Sequence, residues 1–508
     1  MQNLKIGILI PDFELLSNFE LRIIKEIKDD KSLDLSVLIK DFRLQNKQKK
    51  SFFQRLFGLI KSKKFFGTLL FNLQIFIEKR FLKENISNQL KKEIQEYLIG
   101  IETVYLNPEK KGFLDIFNEE DTQKLRSYEL DIILRHEFNI IRGNILKAAK
   151  YGVWSFHHGD NAINRGGPAG FWEILLKQPV VGVTLQQLTP ELDGGLVIDK
   201  AYFNPHWSFV KTNRLILEGS VSLLFKNIRQ LQNGNYTTTE SLVYYNPLYR
   251  SPNLKKTLSY IFSFYSKVIK NIIIKYDIIL LRSRYNCWTL FIGKGNFLNA
   301  TLFRLKSVKL PKNEFWADPF IFKYNNENYV FFENYSYISN KGKISCGIIR
   351  DKDLINITDV LDLDYHLSYP FIFEDEGEIF LMPETSGNNR LEIYRCLDFP
   401  NKWELYSTAF ENEIIEDATF YTDENQDKWL FLNKKISPNS PSDSELYIYK
   451  VDSVKLKTIE PHIDNPVIIN SKKARNAGPI FKHKGQSYRP SQANIYGTYG
   501  SALNINRI

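Results

Sequence analysis

Three of the chain's seven histidines, His136, His157 and His158, fall between positions 136 and 158. His157 follows the apolar stretch Gly152-Val153-Trp154-Ser155-Phe156 and precedes His158-Gly159-Asp160. The next polar landmarks are Arg165-Gly166-Gly167-Pro168-Ala169, then Gly182-Val183-Thr184, then Glu191-Leu192-Asp193-Gly194-Gly195. An imidazole changes charge near neutral pH and can move a proton in either direction. A residue just past a buried strand stands where open α/β sheets take their ligands. Asp193 lies in a glycine-flanked turn, which lets another backbone come close. The helix expected after Gly166-Gly167-Pro168 offers free N–H groups to an anion. Taken in this order, the residues describe an active-site layout around His157 and Asp193.

The elements that must hold these residues alternate strand and helix. Lys5 to Ile10 and Leu33 to Ile39 read as buried strands. Between them Leu16, Phe19, Ile23 and Ile27 form one helical face within Phe13 to Ile27. The alternation resumes with strands at 130–134, 153–156, 180–188 and 195–201 and helices at 144–149, 169–176 and 213–232. This is the pattern of a doubly wound α/β sheet. No G-x-G-x-x-G follows the first strand, so a dinucleotide site is not expected. Residues 41–100 read as a basic helical insertion. Between Lys47 and Lys64 there are seven Lys or Arg and no acid, and the apolar run Phe65 to Ile77 follows. That run is expected to pack on its own domain, with 47–64 available for peripheral membrane contact.

From Cys287 onward the texture changes to short aromatic strands that repeat. Ala317-Asp318-Pro319-Phe320 leads to Tyr329-Val330-Phe331-Phe332-Glu333, and Ser368-Tyr369-Pro370-Phe371 leads to Ile379-Phe380-Leu381-Met382-Pro383-Glu384. Asp417-Ala418-Thr419-Phe420 and Ala477-Gly478-Pro479-Ile480 open two further units. A period of roughly 50 to 60 residues suits propeller blades. Four copies plus Trp288 to Lys306 predict five blades, with Ala502 to Ile508 closing the ring. The expected organisation is 1–240 as an α/β domain, 241–285 as a helical connector, and 286–508 as an all-β five-bladed propeller.

Composition bounds the rest. Hydrophobic residues make up 43% and charged residues 25% of the chain, as in soluble globular proteins. No uncharged apolar run reaches the about 18 residues of a membrane span, and Met1 to Phe13 does not read as a signal peptide. The three cysteines, Cys287, Cys346 and Cys396, are far apart, which argues against disulfides or a cysteine-rich zinc site and for a cytoplasmic location.

Between about residues 128 and 230 the sequence resembles the 10-formyltetrahydrofolate-dependent formyltransferases, which include enzymes acting on glycinamide ribonucleotide, methionyl-tRNA and amino sugars. The carriers are the strand ending at His157, the Arg165-Gly166-Gly167 loop, Gly182-Val183-Thr184 and Leu192-Asp193-Gly194-Gly195. The resemblance implies a Rossmann-like fold and a formyl donor, 10-formyltetrahydrofolate, attacked by an acceptor amine. It implies that His157 stabilises the oxyanion or moves a proton and that Asp193 orients it. Ser155 stands where the family has an asparagine thought to hold the oxyanion. A second donor is therefore expected, from His158, Asp160 or Arg165. The resemblance further implies substrate contacts from His158, Asp160, Arg165, Gly166 and Gly167, and pterin binding by backbone groups of Arg135, His136 and Glu137.

The repeats resemble the five-bladed propellers of arabinanase-like glycosidases, and the domain at the N-terminus of plant glucosamine inositolphosphorylceramide transferases. That implies convergence of Asp318, Glu333, Glu384 and Asp417 on the propeller axis. Hydrolysis would require a carboxylate pair about 5–5.5 or 6.5–9.5 Å apart; sugar binding or scaffolding would not. The expected activity is formylation of an amino group on a small-molecule or lipid-linked amino-sugar conjugate, with no nucleic-acid partner. The alternative is a glycan-binding or glycan-processing protein acting through the propeller, with a decayed formyltransferase domain.

Overall fold

The computed structural model describes residues 3–45, 65–82, 88–190, 195–240, 248–280, 288–296, 298, 301–436 and 440–508. The basic run 47–64 and Asp193 lie outside the described residues. The chain forms two units, Met1–Tyr265 and Ser266–Ile508. The division falls inside the helix Leu254–Leu280.

The first unit is built on a seven-stranded sheet. Its strands are β1 (Leu4–Leu9), β2 (Leu33–Asp41), β3 (Thr103–Leu106), β4 (Ile132–Arg135), β5 (Val153–His157), β6 (Val181–Gln187) and β7 (Leu196–Phe203). They run in the order β7-β6-β5-β4-β1-β2-β3. The five strands from β5 to β3 are parallel; β6 is antiparallel to both β5 and β7. Nearly continuous apolar sequence, as in Ile132-Ile133-Leu134, is what strands covered on both faces require. The first helix begins at Asn18 rather than at Phe13. Ser17 is the reason: it caps the helix, with its backbone N–H bonded to Glu20 at 2.8 Å in a reciprocal capping box. Phe19, Ile23, Ile24 and Ile27 then face the core.

The run from Phe65 forms a helix, Phe65–Leu82, anchored within its own unit. Phe71 packs edge-on to Phe171 at 5.0 Å and beside Phe209 at 5.5 Å. Gly67 lets the segment 253–254 approach, since a Cβ there would lie 2.6 Å from the Leu254 amide nitrogen. Glu78, only 1% exposed, accepts from the Tyr260 hydroxyl and the Ser208 hydroxyl, both at 2.6 Å, and from the Val210 amide at 3.2 Å.

Among the described residues the second unit contains five separate β-sheets. The ribbon Phe291–Ile292 with Lys306–Ser307 comes first, followed by two four-stranded sheets over 314–361 and 368–409. A five-stranded sheet spans 414–469 and a three-stranded one 481–507. The fifth blade expected from 288–306 is thus a two-stranded ribbon. The C-terminal strand Thr498–Arg507 completes the last sheet by pairing with Gln486–Ile495. Among the described residues no pairing joins it to the first ribbon, where ring closure was expected.

Glu78→Ala would leave two buried hydroxyls and an amide without their acceptor. We expect a loss of about 3 kcal/mol, which lowers Tm of the first unit by roughly 6–12 °C; Glu78→Gln, which keeps an acceptor, loses less. Thermal unfolding of the three proteins measures this, and an unchanged Tm for Glu78→Ala would refute it.

Candidate functional site

Among the described residues, two clefts gather expected site residues, one in each unit. In the first, Ser155 and His157 are two residues apart on β5 and therefore share a face. Arg135 pairs with Ser155 on one side, and Gln186 pairs with Ser155 on the other. A polar row, Arg135–Ser155–Gln186, thus crosses three strands. All three line a cleft of about 210 Å³ with His157, Ile140 and Arg142. Thr189 and Gly195, which bracket the segment containing Asp193, line it too.

His157 is locked in place. Its Nε2 lies 3.1 Å from the Asn164 carbonyl oxygen. A carbonyl oxygen only accepts, so Nε2 is the donor in this contact. Buried Asn164 is held in turn by the buried carboxyl of Glu173, at 2.8 Å. The loop that follows is drawn against β6 by the Thr184 hydroxyl, which donates to the Gly159 carbonyl at 3.0 Å. Two glycines permit the approach. A Cβ on Gly159 would sit 2.8 Å from His157 Nε2, and one on Gly182 would sit 2.7 Å from the Asp160 Cβ.

The partner of Ser155 is Arg135. Its guanidinium donates to Ser155 Oγ at 3.0 Å and to the carbonyls of Phe138 and Asn139 at 3.0 and 2.8 Å. The three expected second donors are placed elsewhere. His158 stacks on Phe156 at 5.6 Å and lies edge-on to Phe19 at 5.7 Å, and burial pushes its pKa down to about 3. Asp160 is an acceptor already filled by Lys200 at 2.6 Å, Tyr202 at 3.0 Å and the Ala162 amide at 3.0 Å. Arg165 and Gly166 form a short strand paired with Leu248–Tyr249. Gly166 is required there: φ is +90°, and a Cβ would meet the Tyr249 carbonyl oxygen at 2.0 Å. Gly167 donates its amide to the same carbonyl at 3.3 Å.

The loop expected to cradle a pterin is also spent internally. The amides of His136 and Glu137 both donate to the Leu9 carbonyl, at 2.9 and 3.0 Å. The His136 ring is buried beside Phe19 at 5.4 Å, which holds its pKa down at about 4. The cleft wall is made instead by Ile140, Ile141 and Arg142. Gln186 and Arg142 were missed in the sequence; the only signal was a polar pair, Gln186-Gln187, ending an apolar strand.

In the second unit Asp318, Glu333, Glu384 and Asp417 line one cleft of about 600 Å³ with His366 and Arg475. The repeat explains how. Asp318, Tyr369 and Asp417 occupy equivalent positions in three successive repeats and have φ of +48°, +44° and +47°; Gly478 follows at +134° in the fourth. At the first three the strand pairing shifts register, so each is a β-bulge. A left-handed non-glycine residue costs about 1–2 kcal/mol, and here the bulge turns a side chain into the cleft. Tyr369 ties the four together. Its amide donates to Asp318 at 3.3 Å, and its hydroxyl accepts from the Gly478 amide at 2.9 Å and lies 3.1 Å from Thr419 Oγ1.

Arg475, which sequence reasoning passed over, donates Nε to Asp417 at 2.6 Å, reaches Glu384 at 3.3 Å, and also bonds Glu416. Burial nevertheless raises all of these carboxyls. Asp417 is pushed up to about 7 against the pull of Arg475; Asp318 reaches about 6, with Asp417 adding to the burial effect. Glu333 is pushed up to about 9, by burial first and then by Asp318, Glu384 and Asp417.

Residues 301–508 match the family described as glucosamine inositolphosphorylceramide transferase 1, N-terminal. The protein of that name from Arabidopsis thaliana is 33% identical over 204 residues, covering 39% of this chain and 26% of its own length. The chain therefore spans about a quarter of the length of the curated relatives it matches. Among solved structures, a glycinamide ribonucleotide transformylase from Symbiobacterium toebii aligns at 15% identity and a TM-score of 0.30, covering 46% of this chain and 89% of that one. A thermostable family-43 glycoside hydrolase aligns at 13% identity and a TM-score of 0.31, covering 40% and 77%. The architecture itself is a mostly parallel α/β sheet unit followed by a unit of successive β-sheets.

The raised carboxyls make a pH prediction. Free carboxyls titrate near about pH 4, so the folded second unit holds extra protons between there and about pH 9 at Glu333. Stability from this group is complete at low pH and falls as pH rises through its folded pKa. Glutamine mimics the protonated side chain. Glu333→Gln should match the parent in Tm at pH 5 and exceed it at pH 9; equal Tm values at both pH values would contradict the protonated state.

Proposed function

We propose that the first unit transfers a formyl group from 10-formyltetrahydrofolate to an amino group, the acceptor being an amino-sugar conjugate. The observation that carries this reading is that His157 and the Arg135–Ser155 pair line the same cleft. The chain's residues fit a flat donor bearing a carbonyl. Arg135 Nε is buried and has no acceptor among the described residues, so a ligand oxygen would complete it. Ile140, Ile141 and Leu188 supply an apolar wall. Those residues would hold the donor, which when bound supplies the activated formyl group.

The chain's own part is electrostatics and proton movement. Ser155 Oγ accepts from Arg135, so its own hydrogen is available to an oxygen in the cleft. The guanidinium behind it strengthens that donation as negative charge develops on the formyl oxygen. This hydroxyl-plus-cation pair takes the place of the family's amide. His157, whose Nε2 contacts the Asn164 carbonyl, is assigned the transfer of the proton that the attacking amine gives up to the folate nitrogen that leaves. Asp193 is assigned the orienting role.

A second reading rests on a separate observation, the carboxyl cluster of the second unit, which supports glycan binding there. It does not compete for the first cleft.

The test incubates the protein with 10-formyltetrahydrofolate and a panel of amino-sugar nucleotides, with formylated product read by mass spectrometry. His157→Ala should abolish product. Arg135→Leu should lower kcat by about 10²-fold, the usual cost of one oxyanion donor, with a smaller change in KM. Full turnover in His157→Ala, or no product from the parent with any acceptor, overturns the reading.

A further inference from the structure

Asp115 is a buried carboxylate that the chemistry proposed for the first unit leaves without a role. It lies on the strand Leu114–Phe117, which pairs in parallel with Ile140–Gly143, the strand that carries the cleft wall Ile140, Ile141 and Arg142. Asp115 is 0% exposed, and both of its oxygens are filled. One accepts from Arg43 Nη1 at 2.8 Å; the other accepts from the Asn139 amide at 2.8 Å and from Asn139 Nδ2 at 2.9 Å. Burial pushes its pKa up, but these donors outweigh burial and hold the group below the usual carboxylate range. Asp115 is therefore a fixed negative charge.

The peptide group that Asp115 holds is bonded at both ends. Its N–H, that of Asn139, donates to Asp115; its C=O, that of Phe138, accepts from Arg135 Nη2 at 3.0 Å. The next carbonyl, that of Asn139, accepts from the same Nη2 at 2.8 Å. A carboxylate and a guanidinium are thus joined through one peptide, and bonds in such a chain polarise and strengthen one another. The turn that presents both carbonyls keeps Phe138 at φ +69°, a conformation that persists only where neighbouring contacts fix it. Arg135 depends on this arrangement. Burial lowers its pKa, and among the described residues its bonds go to Ser155 and to these carbonyls, not to a carboxylate; Glu137 and Asp115 oppose the burial effect from a distance.

We propose that Asp115 is a positioning residue for Arg135: through the Phe138–Asn139 peptide it fixes the guanidinium on Ser155 and supplies the countercharge that keeps it beside the cleft. The inference rests on the reading that Arg135 and Ser155 serve formyl transfer. Asp115 then supports turnover rather than binding, because it acts on the donor pair and does not line the cleft. The charged groups around it are Arg43, Asp41, which Arg43 also binds at 2.6 Å, and Arg135, with Glu137 facing Arg135 and Asp41 in turn.

The experiment reads Arg135 directly, by carbon-detected NMR of the full-length protein carrying isotope-labelled arginine, with the Arg135 signals assigned by their loss in Arg135→Lys. The parent should show the two Nη nitrogens resolved, because the clamp stops guanidinium rotation. In Asp115→Asn, with Tm and circular dichroism confirming the fold, they should merge. Asn139→Ala, which loses the side-chain bond but keeps the peptide, should leave them resolved. Arg43→Met keeps Asp115 but removes its cation, so burial is opposed only by Asn139 and the Asp115 pKa rises; the Arg135 signals should then be resolved at about pH 8 and merge towards about pH 5, where a raised carboxyl is protonated and its charge lost. In the formylation assay Asp115→Asn should lower kcat about tenfold, less than the about 10²-fold of a lost oxyanion donor, with KM within about twofold. It should add no loss to Arg135→Leu, since it acts through that residue. Resolved Arg135 signals in Asp115→Asn, resolved signals in Arg43→Met at every pH, or an additive loss in the double variant would overturn the inference. If the parent formylates no acceptor, the function proposed for the first unit falls and the NMR result still decides this one; if it formylates and Arg135 stays clamped without Asp115, only this one falls.

Discussion

Arg475 is the interaction on which the second unit turns. It bonds Asp417, Glu384 and Glu416, side chains from two different sheets, at distances of 2.6 Å to Asp417 and 3.3 Å to Glu384. Its own charge is buried, and its face lies 5.1 Å from the Tyr499 ring. Charges taken out of water are tolerated only when paired and hydrogen-bonded. The guanidinium meets that condition for three carboxyls at once, and its planar fork is what allows three partners. Among the described residues Asp318 and Glu333 make no ion pair with it, although its charge still opposes the rise of the Asp318 pKa, and Glu333 lies 3.4 Å from His366 Nε2.

The bulges supply the geometry that Arg475 neutralises. A regular strand would alternate its side chains and send every second one away from the cleft. The extra residue at Asp318, Tyr369 and Asp417 breaks that alternation at the same point in successive sheets. Each bulge accepts a left-handed residue, and Tyr369 then cross-braces its neighbours through Asp318, Thr419 and Gly478. Strain at functional positions persists where surrounding structure over-determines it, and this bracing does so.

The first unit solves a smaller electrostatic problem by strand register. Parallel pairing of β4 with β5 sets Arg135 beside Ser155, and antiparallel pairing of β5 with β6 sets Gln186 on the other side. A shift of one residue in either pairing would turn the row to the opposite face. The short side chain of Ser155 makes room for a cation that a bulkier residue would crowd. His157 is fixed from behind by Asn164 and Glu173, so its orientation does not depend on a ligand.

Much of this was legible in the residues. Apolar runs and their periods determine the strands of the first sheet, and the recurring x-Asp-Pro and x-Tyr-Pro units determine a β repeat, because burial and backbone preference act over a few neighbouring residues. The spacing Ser155-x-His157 already places both side chains on one face. What stayed hidden depends on residues far apart in sequence. Helix start was misjudged at Phe13 because the Ser17 capping box outweighed the apolar pattern. His158 and Asp160 looked like site residues because they adjoin His157, yet one packs on Phe19 and the other is filled by Lys200 and Tyr202, 40 positions or more away. Arg135 and Arg475 act on Ser155 and Asp417 from 20 and 58 positions away. Sequence decides which groups are available; only the packing of strands from distant segments decides which charges meet, because a charge is stabilised by whatever the fold brings within hydrogen-bond reach.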